Sequence, residues 1–429
     1  MDRVMDRREF MQTAVGTVSG LLIVKPATAF GYQANSVVRL GLLGCGNRGT
    51  AVATSFAQNT SAQIVALADL FPDQLAAGHE HFNQVNAGVA HAVIDSKLLF
   101  PGPHAFEELA ASPDVDAIQI STPPFFHVQH LEAAVAAGKH VYCEKPVGID
   151  VKQAKHALEI AKRVKPTQSV DVGFQCRNAS PIAAAAERIR SGALGKIAVV
   201  IANYNAPASV EKIRAGESKD EYRLRNWLSD RALSGDILVE QNIHIIDLCN
   251  WILGARPVKA IATGGRNILT HAGDCWDNYQ VDFFYPNDVR MSFASTQFGA
   301  YGGFDAGLKF FGSDGSAAVP YSGPVKILGS QAWEWQDPSQ PATQSGSGQF
   351  AANGSFLDNL KYADRDKDRS FIDSIASGKP HNEIAAGVET ALSCMLGRMA
   401  GYQKREVTWE ELMAHGENYE LGMDLKQFA

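Results

Sequence analysis

Hydrophobic positions along this chain fall into two regimes, with the change near residue 175. In the first regime, short apolar runs at 37–43, 64–68, 117–120, 140–143 and 170–174 read as strands buried on both faces of a parallel sheet. Between them, 72–82, 106–111, 127–137 and 150–164 carry apolar residues at helical spacing, as in Val151, Ala154, Ala157, Leu158 and Ala161. Gly138 reads as the C-cap of the third of these helices. Residues 83–104, rich in Asn, Gly and Pro, are expected to be an irregular insertion. Beyond Pro181 the alternation stops. Strand-like runs at 196–204, 258–263, 279–285, 289–298 and 308–311 predict a mostly antiparallel sheet with a few helices. Residues 337–355 read as a Ser/Gln/Gly/Pro-rich loop, and 368–377 with 384–402 as a helical hairpin split by Gly378-Lys379-Pro380. The predicted fold class is therefore α/β followed by α+β. A doubly wound parallel sheet spans 36–175, and a second domain spans 176–429, with its last helices returning to the core.

The apolar run at 37–43 leads into Gly44-Cys45-Gly46-Asn47-Arg48-Gly49, a G-x-G-x-x-G between a strand and a helix. The first glycine permits a tight turn, the second lets backbone amides approach a pyrophosphate, and the third lets helix and strand pack closely. The second strand ends in Asp69, twenty residues beyond Gly49. A carboxylate there hydrogen-bonds a ribose 2′-hydroxyl and repels a 2′-phosphate. No Arg or Lys adjoins Asp69, so the expected cofactor is NAD rather than NADP in a Rossmann domain. Taken alone, Asp69 also fits as a cap for the helix that opens at Pro72.

Charge and composition narrow the function class. The 429 residues are 45% hydrophobic and 20% charged, with a formal net charge of −7, which gives no basic footprint for nucleic acid. No apolar run long enough to span a membrane occurs beyond the N-terminal region. That region has its own pattern: Asp6-Arg7-Arg8-Glu9-Phe10-Met11 resembles a twin-arginine export signal. A mildly apolar stretch to Val24 follows, then the small-residue site Ala27-Thr28-Ala29. Residues 1–29 are thus expected to be a cleaved signal, and the mature protein periplasmic or otherwise exported. An exported NAD enzyme has no free cofactor pool, so it must hold the dinucleotide and regenerate it in place. The six cysteines form no C-x-x-C pair, so neither a zinc ribbon nor a redox dithiol is indicated.

Candidate chemistry gathers at two places. Glu144-Lys145-Pro146 follows the strand at 140–143, at the end of a parallel sheet where ligands bind. Glu240 and His244 are four residues apart in the apolar run 237–251; if helical, they share a face, with Asp247 a turn further on. Oxidising a secondary alcohol requires a base for the hydroxyl proton, and an imidazole suits neutral pH. Lys145 would donate to the substrate oxygen and favour the developing alkoxide, while Glu240 either touches substrate or positions His244. Asp247 reads as a polar helix contact, and no metal site is expected from this trio. Arg177, Trp227, Asn242 and His244 are candidate substrate contacts, with Arg223 and Arg225 as further candidates beside Trp227.

These residues resemble the Gfo/Idh/MocA family of NAD(P)-dependent sugar and polyol oxidoreductases. The resemblance rests on Gly44 to Gly49, on Ser121-Thr122-Pro123-Pro124 with His127, and on the run from Ala137 to Pro146. It continues through Gly173-Phe174-Gln175-Cys176-Arg177 and the stretch 234–251, and covers essentially the whole mature chain. It implies a Rossmann domain plus an open-faced antiparallel sheet, with a sugar, glycoside or polyol held between that sheet and the nicotinamide. It implies cofactor contacts at Gly44, Gly46, Asn47, Arg48, Gly49, Asp69, Ser121, Thr122, Pro123, His127, Glu144 and Lys145. Catalytic roles fall to Lys145, Glu240 and His244, although Glu240 stands where the family usually has Asp. Some relatives are redox-neutral NAD-dependent glycosidases that oxidise transiently and eliminate; a second alternative is a non-catalytic sugar-binding module. An open-faced sheet also suggests a homo-oligomer.

Overall fold

The computed structural model describes residues 37–298, 304–337 and 358–428. The expected export signal at 1–29 lies outside these residues, as does the expected loop at 337–355 from residue 338 to its end. Among the described residues, six parallel strands form the first sheet: β1 (Val38–Leu43), β2 (Ala62–Asp69), β3 (Leu99–Pro101), β4 (Ala117–Ile120), β5 (His140–Cys143) and β6 (Val170–Val172). Their spatial order is β3-β2-β1-β4-β5-β6, the doubly wound order of a dinucleotide-binding sheet. β4 is buried at all four positions because crossover helices cover both faces, which is why its sequence is a continuous apolar run with one glutamine. The strand order reverses between β1 and β4, so the loops after Leu43 and Ile120 open a crevice there.

The structure corrects two expectations in this half. The helix predicted at 72–82 runs over Pro72–Gly88, because Phe82 and Asn86 are drawn onto the sheet. The Asn86 amide is buried and donates to Ile64 O and Ala92 O, both at 2.9 Å, so a residue that reads as a breaker serves as a strut. The supposed irregular insertion then supplies β3, paired to the edge of β2.

Nine strands among the described residues form the second sheet: β7 (Ile197–Asn205), β8 (Lys259–Gly265), β9 (Asn278–Phe284), β10 (Arg290–Thr296), β11 (Asp305–Gly312), β12 (Gly315–Pro320), β13 (Lys326–Gly329), β14 (Trp333–Glu334) and β15 (Val407–Thr408). They are ordered β14-β13-β12-β11-β7-β10-β9-β8-β15, antiparallel except where β10 runs parallel to β7. β12 is Gly-Ser-Ala-Ala-Val-Pro and β13 to β15 are only two to four residues long, so ladder pairing rather than intrinsic preference makes them strands. One face is buried through Val200, Tyr204, Phe283, Met291 and Phe310. The other leaves Val199, Ile201, Ile261 and Phe311 exposed.

Two later helices tie the halves together. Ala363–Ala376 lies on the first crossover helix, Asn47–Asn59, with Phe371 edge-on to Phe56 and Tyr142 at 5.9 and 6.0 Å. Ile384–Gln403 packs instead between the helix Val151–Arg163 and β8, so the predicted hairpin separates onto different partners. All six cysteines are free and buried. Among the described residues, no helix is long and apolar enough to cross a membrane.

Candidate active site

The loop after β1 is shaped by its glycines. Gly44 has φ +97, and a Cβ there would lie 2.7 Å from Ser121 O; a Cβ on Gly49 would lie 2.0 Å from Gly44 O. Gly46 faces open space and lines a cleft, so backbone can approach a ligand there without obstruction. The helix Asn47–Asn59 begins at Gly46 with no side chain capping it, which leaves its first-turn amides for an anion. At the tip of β2, Asp69 accepts from Cys45 N at 2.7 Å and Phe71 N at 2.9 Å, while burial pushes its pKa up. Glycine turn, uncapped helix and strand-tip carboxylate line one cleft with Ser121, Thr122 and Pro123, and this donor set fits a dinucleotide. The structure adds what local sequence could not show. Lys212, Arg214 and Arg225 arrive from the second half to line the same cleft. Arg214 and Arg225 both ion-pair with Asp73, which occupies their charge.

A second cleft adjoins the first, sharing Ser121, Thr122 and Trp227, and holds Lys145, Glu240 and His244. Lys145 Nζ donates to Glu240 Oε1 and to Glu240 O, each at 2.6 Å. The expected single helix is broken: Ile237–Glu240 ends one short helix and Ile243–Leu253 begins another. Asp236 sets the turn that precedes the first of these helices. It sits at φ +76, fully buried, and its carboxylate accepts from Ile237 N, Trp276 N, Tyr279 Oη and Tyr402 Oη. Those four donors fix the turn that feeds Glu240 into the cleft. His244 lies at the start of the following helix with Nδ1 unpartnered. Burial first, then the charges of Lys145 and Arg48, hold its imidazole well below its ordinary pKa, so it is neutral and free to accept a proton. Glu240 bonds Lys145, and the anticipated Glu240 contact to the ring is absent among the described hydrogen bonds.

Arg48 and Glu144 lie at the floor of this second cleft. Arg48 Nε donates to Glu144 Oε1 at 2.8 Å, and its two terminal nitrogens grip Asp364 from the helix Ala363–Ala376. His127 also lines the cleft, but its two ring nitrogens face Thr122 O and Pro146 O at 2.7 and 2.8 Å. It is a strut between the β4 loop and the loop carrying Lys145. Asn47 opens its helix and does not line either cleft.

Several expected substrate contacts are placed elsewhere. Arg177 is committed to Asp247 through bonds of 2.8 and 2.5 Å and lies over the Phe174 ring, outside both clefts. Asp247, which also accepts from Thr390 Oγ1, is correspondingly a structural anchor. Asn242 is fully buried in the turn between the short helices and does not line the cleft. Arg223 is paired with Asp230, and Arg225 stacks on Phe71 at the dinucleotide end, leaving Trp227 as the candidate that reaches the junction of the clefts. Conversely, Gln175, Tyr204, Leu228 and Gln241 line this second cleft, and the sequence alone does not offer them as candidate contacts. The Gln175 and Gln241 carbonyl oxygens are buried there without partners. Among the described residues, Asp171, His381 and Glu383 also form a cluster with metal-ligand spacing. Lys367 Nζ already lies 3.0 Å from Asp171 and 2.5 Å from Glu383, so an ammonium supplies the cation.

Comparison with known proteins agrees with this architecture. Residues 38–172 match the model of the "Oxidoreductase family, NAD-binding Rossmann fold", and 182–318 match the "GFO/IDH/MocA C-terminal domain". Among curated relatives, the inositol 2-dehydrogenase of Rhizobium meliloti is 27% identical over 293 residues, covering 68% of this chain and 78% of the relative. The myo-inositol 2-dehydrogenase of Thermotoga maritima is 24% identical over 390 residues, 88% of this chain and 100% of the relative. The scyllo-inositol dehydrogenase of Lactobacillus casei, solved with NAD(H) and scyllo-inositol, superposes with a TM-score of 0.65 at 18% identity. That superposition covers 87% of this chain and 100% of the other, and shows a common fold. With both halves matched in order over more than half its length, this chain is a member of the Gfo/Idh/MocA family of oxidoreductases, with an NAD-binding Rossmann domain.

Proposed function

We propose that this oxidoreductase is exported, keeps its NAD bound, and takes hydride from a secondary alcohol of a neutral sugar, glycoside or polyol. The observation that carries the reading is the pairing of Lys145 with Glu240 beside a neutral His244 whose Nδ1 has no hydrogen-bond partner, in a cleft that adjoins the dinucleotide cleft. Bound NAD supplies the hydride acceptor; the chain's own residues do the rest. A substrate hydroxyl entering beside Lys145 receives a hydrogen bond from Nζ, and that positive charge favours the alkoxide as its proton leaves. His244 takes the proton. Glu240 holds the ammonium in place and balances its charge before substrate arrives.

Neutrality of the substrate follows from the charge inventory. The two cations lining the reaction cleft, Arg48 and Lys145, are each met by carboxylates of Glu144, Asp364 and Glu240. The unpartnered carbonyls of Gln175 and Gln241 want donors, and Trp227 offers an apolar face, which together suit a polyhydroxylated ring. The exposed apolar residues on the outer face of the second sheet support a homo-oligomer. The export part rests on the N-terminal pattern.

The test is to purify the full chain, denature a portion and identify the released dinucleotide, then incubate the rest with sugars, polyols and glycosides and read products by mass spectrometry. Recovered NAD and a ketone product that forms stoichiometrically, then catalytically once a carbonyl acceptor is added, support the reading. Acceptor-independent cleavage of a glycoside would replace it with the redox-neutral reaction, and no product from any substrate would favour a binding module. Fractionation of cells tests export, and sedimentation tests oligomerisation.

A further inference from the structure

Three stretches far apart in the chain meet over the adenosine end of the dinucleotide cleft. Phe71 stands two residues beyond Asp69, the carboxylate placed for the ribose. The Arg225 guanidinium lies over the Phe71 ring at 3.8 Å, and Phe428 meets it edge-on at 5.5 Å. Leu425 lines the cleft itself, together with Gly44 and Asp69. Leu224 and Leu233 are buried beneath, so the cover has an apolar underside of its own, separate from the cores of the two sheets.

Two kinds of contact hold this cover down. Asp73, in the first turn of the helix after Phe71, accepts from Arg214 Nη1 at 2.6 Å and Arg225 Nη2 at 2.9 Å, joining 206–229 to the Rossmann half. Tyr419 N donates to Asp150 Oδ2 at 2.9 Å, and Gln427 Nε2 donates to Asp220 Oδ2 at 3.0 Å. Those bonds lay 418–428 across the helix Lys219–Arg225 and bring Phe428 onto Phe71. The Asp73 pairs are part-exposed, with Asp73 42% and Arg214 45% accessible, so salt screens them. The aromatic contact is indifferent to salt.

We propose that 206–229 and 418–428 form a clasp on the adenosine end of the dinucleotide, which must open before NAD can leave. It rests on the retained-cofactor reading and supplies its physical means: the sheet positions the cofactor, and the clasp slows its release. Association and release share the same opening, so the clasp acts on residence time more than on the shape of the site.

The experiment measures first-order release of NADH from loaded full-length protein, by loss of its fluorescence during a chase with excess NAD. Variants are Asp73→Asn, Phe428→Ala and a chain stopped after residue 420, with circular dichroism as the folding control. Each point variant is expected to release NADH about tenfold faster than the parent, about 1.4 kcal/mol of residence. Raising salt from about 0.05 to 0.5 M should accelerate release from the parent and leave Asp73→Asn nearly unaffected. Slow release from the parent and from both point variants would overturn the clasp while leaving retention standing. Rapid release from the parent would overturn both. The point variants carry the test if the shortened chain does not fold.

Discussion

Arg48 and Asp364 stand 316 residues apart in the chain and meet through two parallel hydrogen bonds of 2.7 and 2.9 Å. Arg48 stands in the first turn of the helix that follows the glycine turn and Asp364 on a helix that returns from the second half, so this pair locks the two halves together beneath the second cleft. Burial alone would lower the Arg48 pKa, but Asp364 and Glu144 raise it well above its ordinary value, so the guanidinium stays charged between them.

Asp364→Ala should therefore cost stability as well as activity. Removing one partner of a buried pair leaves the other charge uncompensated, at about 3–5 kcal/mol. Glu144 remains on Arg48, and the Arg48 side chain is 27% exposed, so the expected loss is near about 3 kcal/mol in urea unfolding. Stability within a few tenths of the parent would show that the pair is not a lock.

Lys145→Ala and His244→Ala should each lower turnover by about a hundredfold to ten-thousandfold, with NAD still bound and the fold intact. The two differ in character. Loss of Lys145 removes a positive donor that strengthens as the alkoxide forms, so kcat should fall more than KM rises. Near-normal turnover in His244→Ala, with circular dichroism unchanged, would eliminate His244 as the base.

How much of this could be read in advance differs between fold and site. The strands Ala117–Ile120 and His140–Cys143 have the bounds predicted, because residues buried on both faces leave an unbroken apolar run. β12 was missed because Gly-Ser-Ala-Ala carries no strand signature away from its neighbours. Lys145, Glu240 and His244 were legible as chemistry, and the structure brings all three to one cleft. The break between Glu240 and His244 was not, since it falls at Gln241 and Asn242, and the turn that leads into this stretch is held by a buried Asp236 carboxylate whose donors come from Trp276, Tyr279 and Tyr402, well beyond local spacing. Arg177 misled in the opposite way. Its motif position suggested a ligand, but a buried Asp247 claims its guanidinium.

Asp236→Ala should be among the most damaging substitutions outside the cleft. It strips the acceptor from the buried Tyr279 hydroxyl, the half-buried Tyr402 hydroxyl and two backbone amides, the buried losses costing about 1–3 kcal/mol each. It also puts alanine at φ +76, a strained conformation for a side chain with no hydrogen bonds to offer. The expected outcome is poorly folded protein, or a loss above about 4 kcal/mol by urea titration. A variant within about 1 kcal/mol of the parent would show that the turn is held by packing alone.

The pH dependence of His244 has a definite sign. Its folded pKa is depressed, by burial first and then by Lys145 and Arg48, whereas an unfolded imidazole titrates near about 6.5. Above that value neither state binds the proton, and its contribution to stability is fully present. As pH falls below it, the unfolded chain takes up a proton that the folded ring refuses, so stability declines by up to about 1.4 kcal/mol per pH unit until the folded pKa is reached. His127, His130 and His140 are depressed as well and His381 is raised, so the parent's slope is a sum. The informative quantity is the difference between parent and His244→Gln, whose slope should be shallower by about half a proton at pH 6.5, approaching one proton as pH falls further. The same shift bears on catalysis. A base that remains unprotonated well below 6.5 moves the acid limb of the kcat/KM profile to lower pH than an ordinary histidine would give. An acid limb at or above about 6.5, together with an unchanged stability slope in His244→Gln, would mean that another group removes the hydroxyl proton.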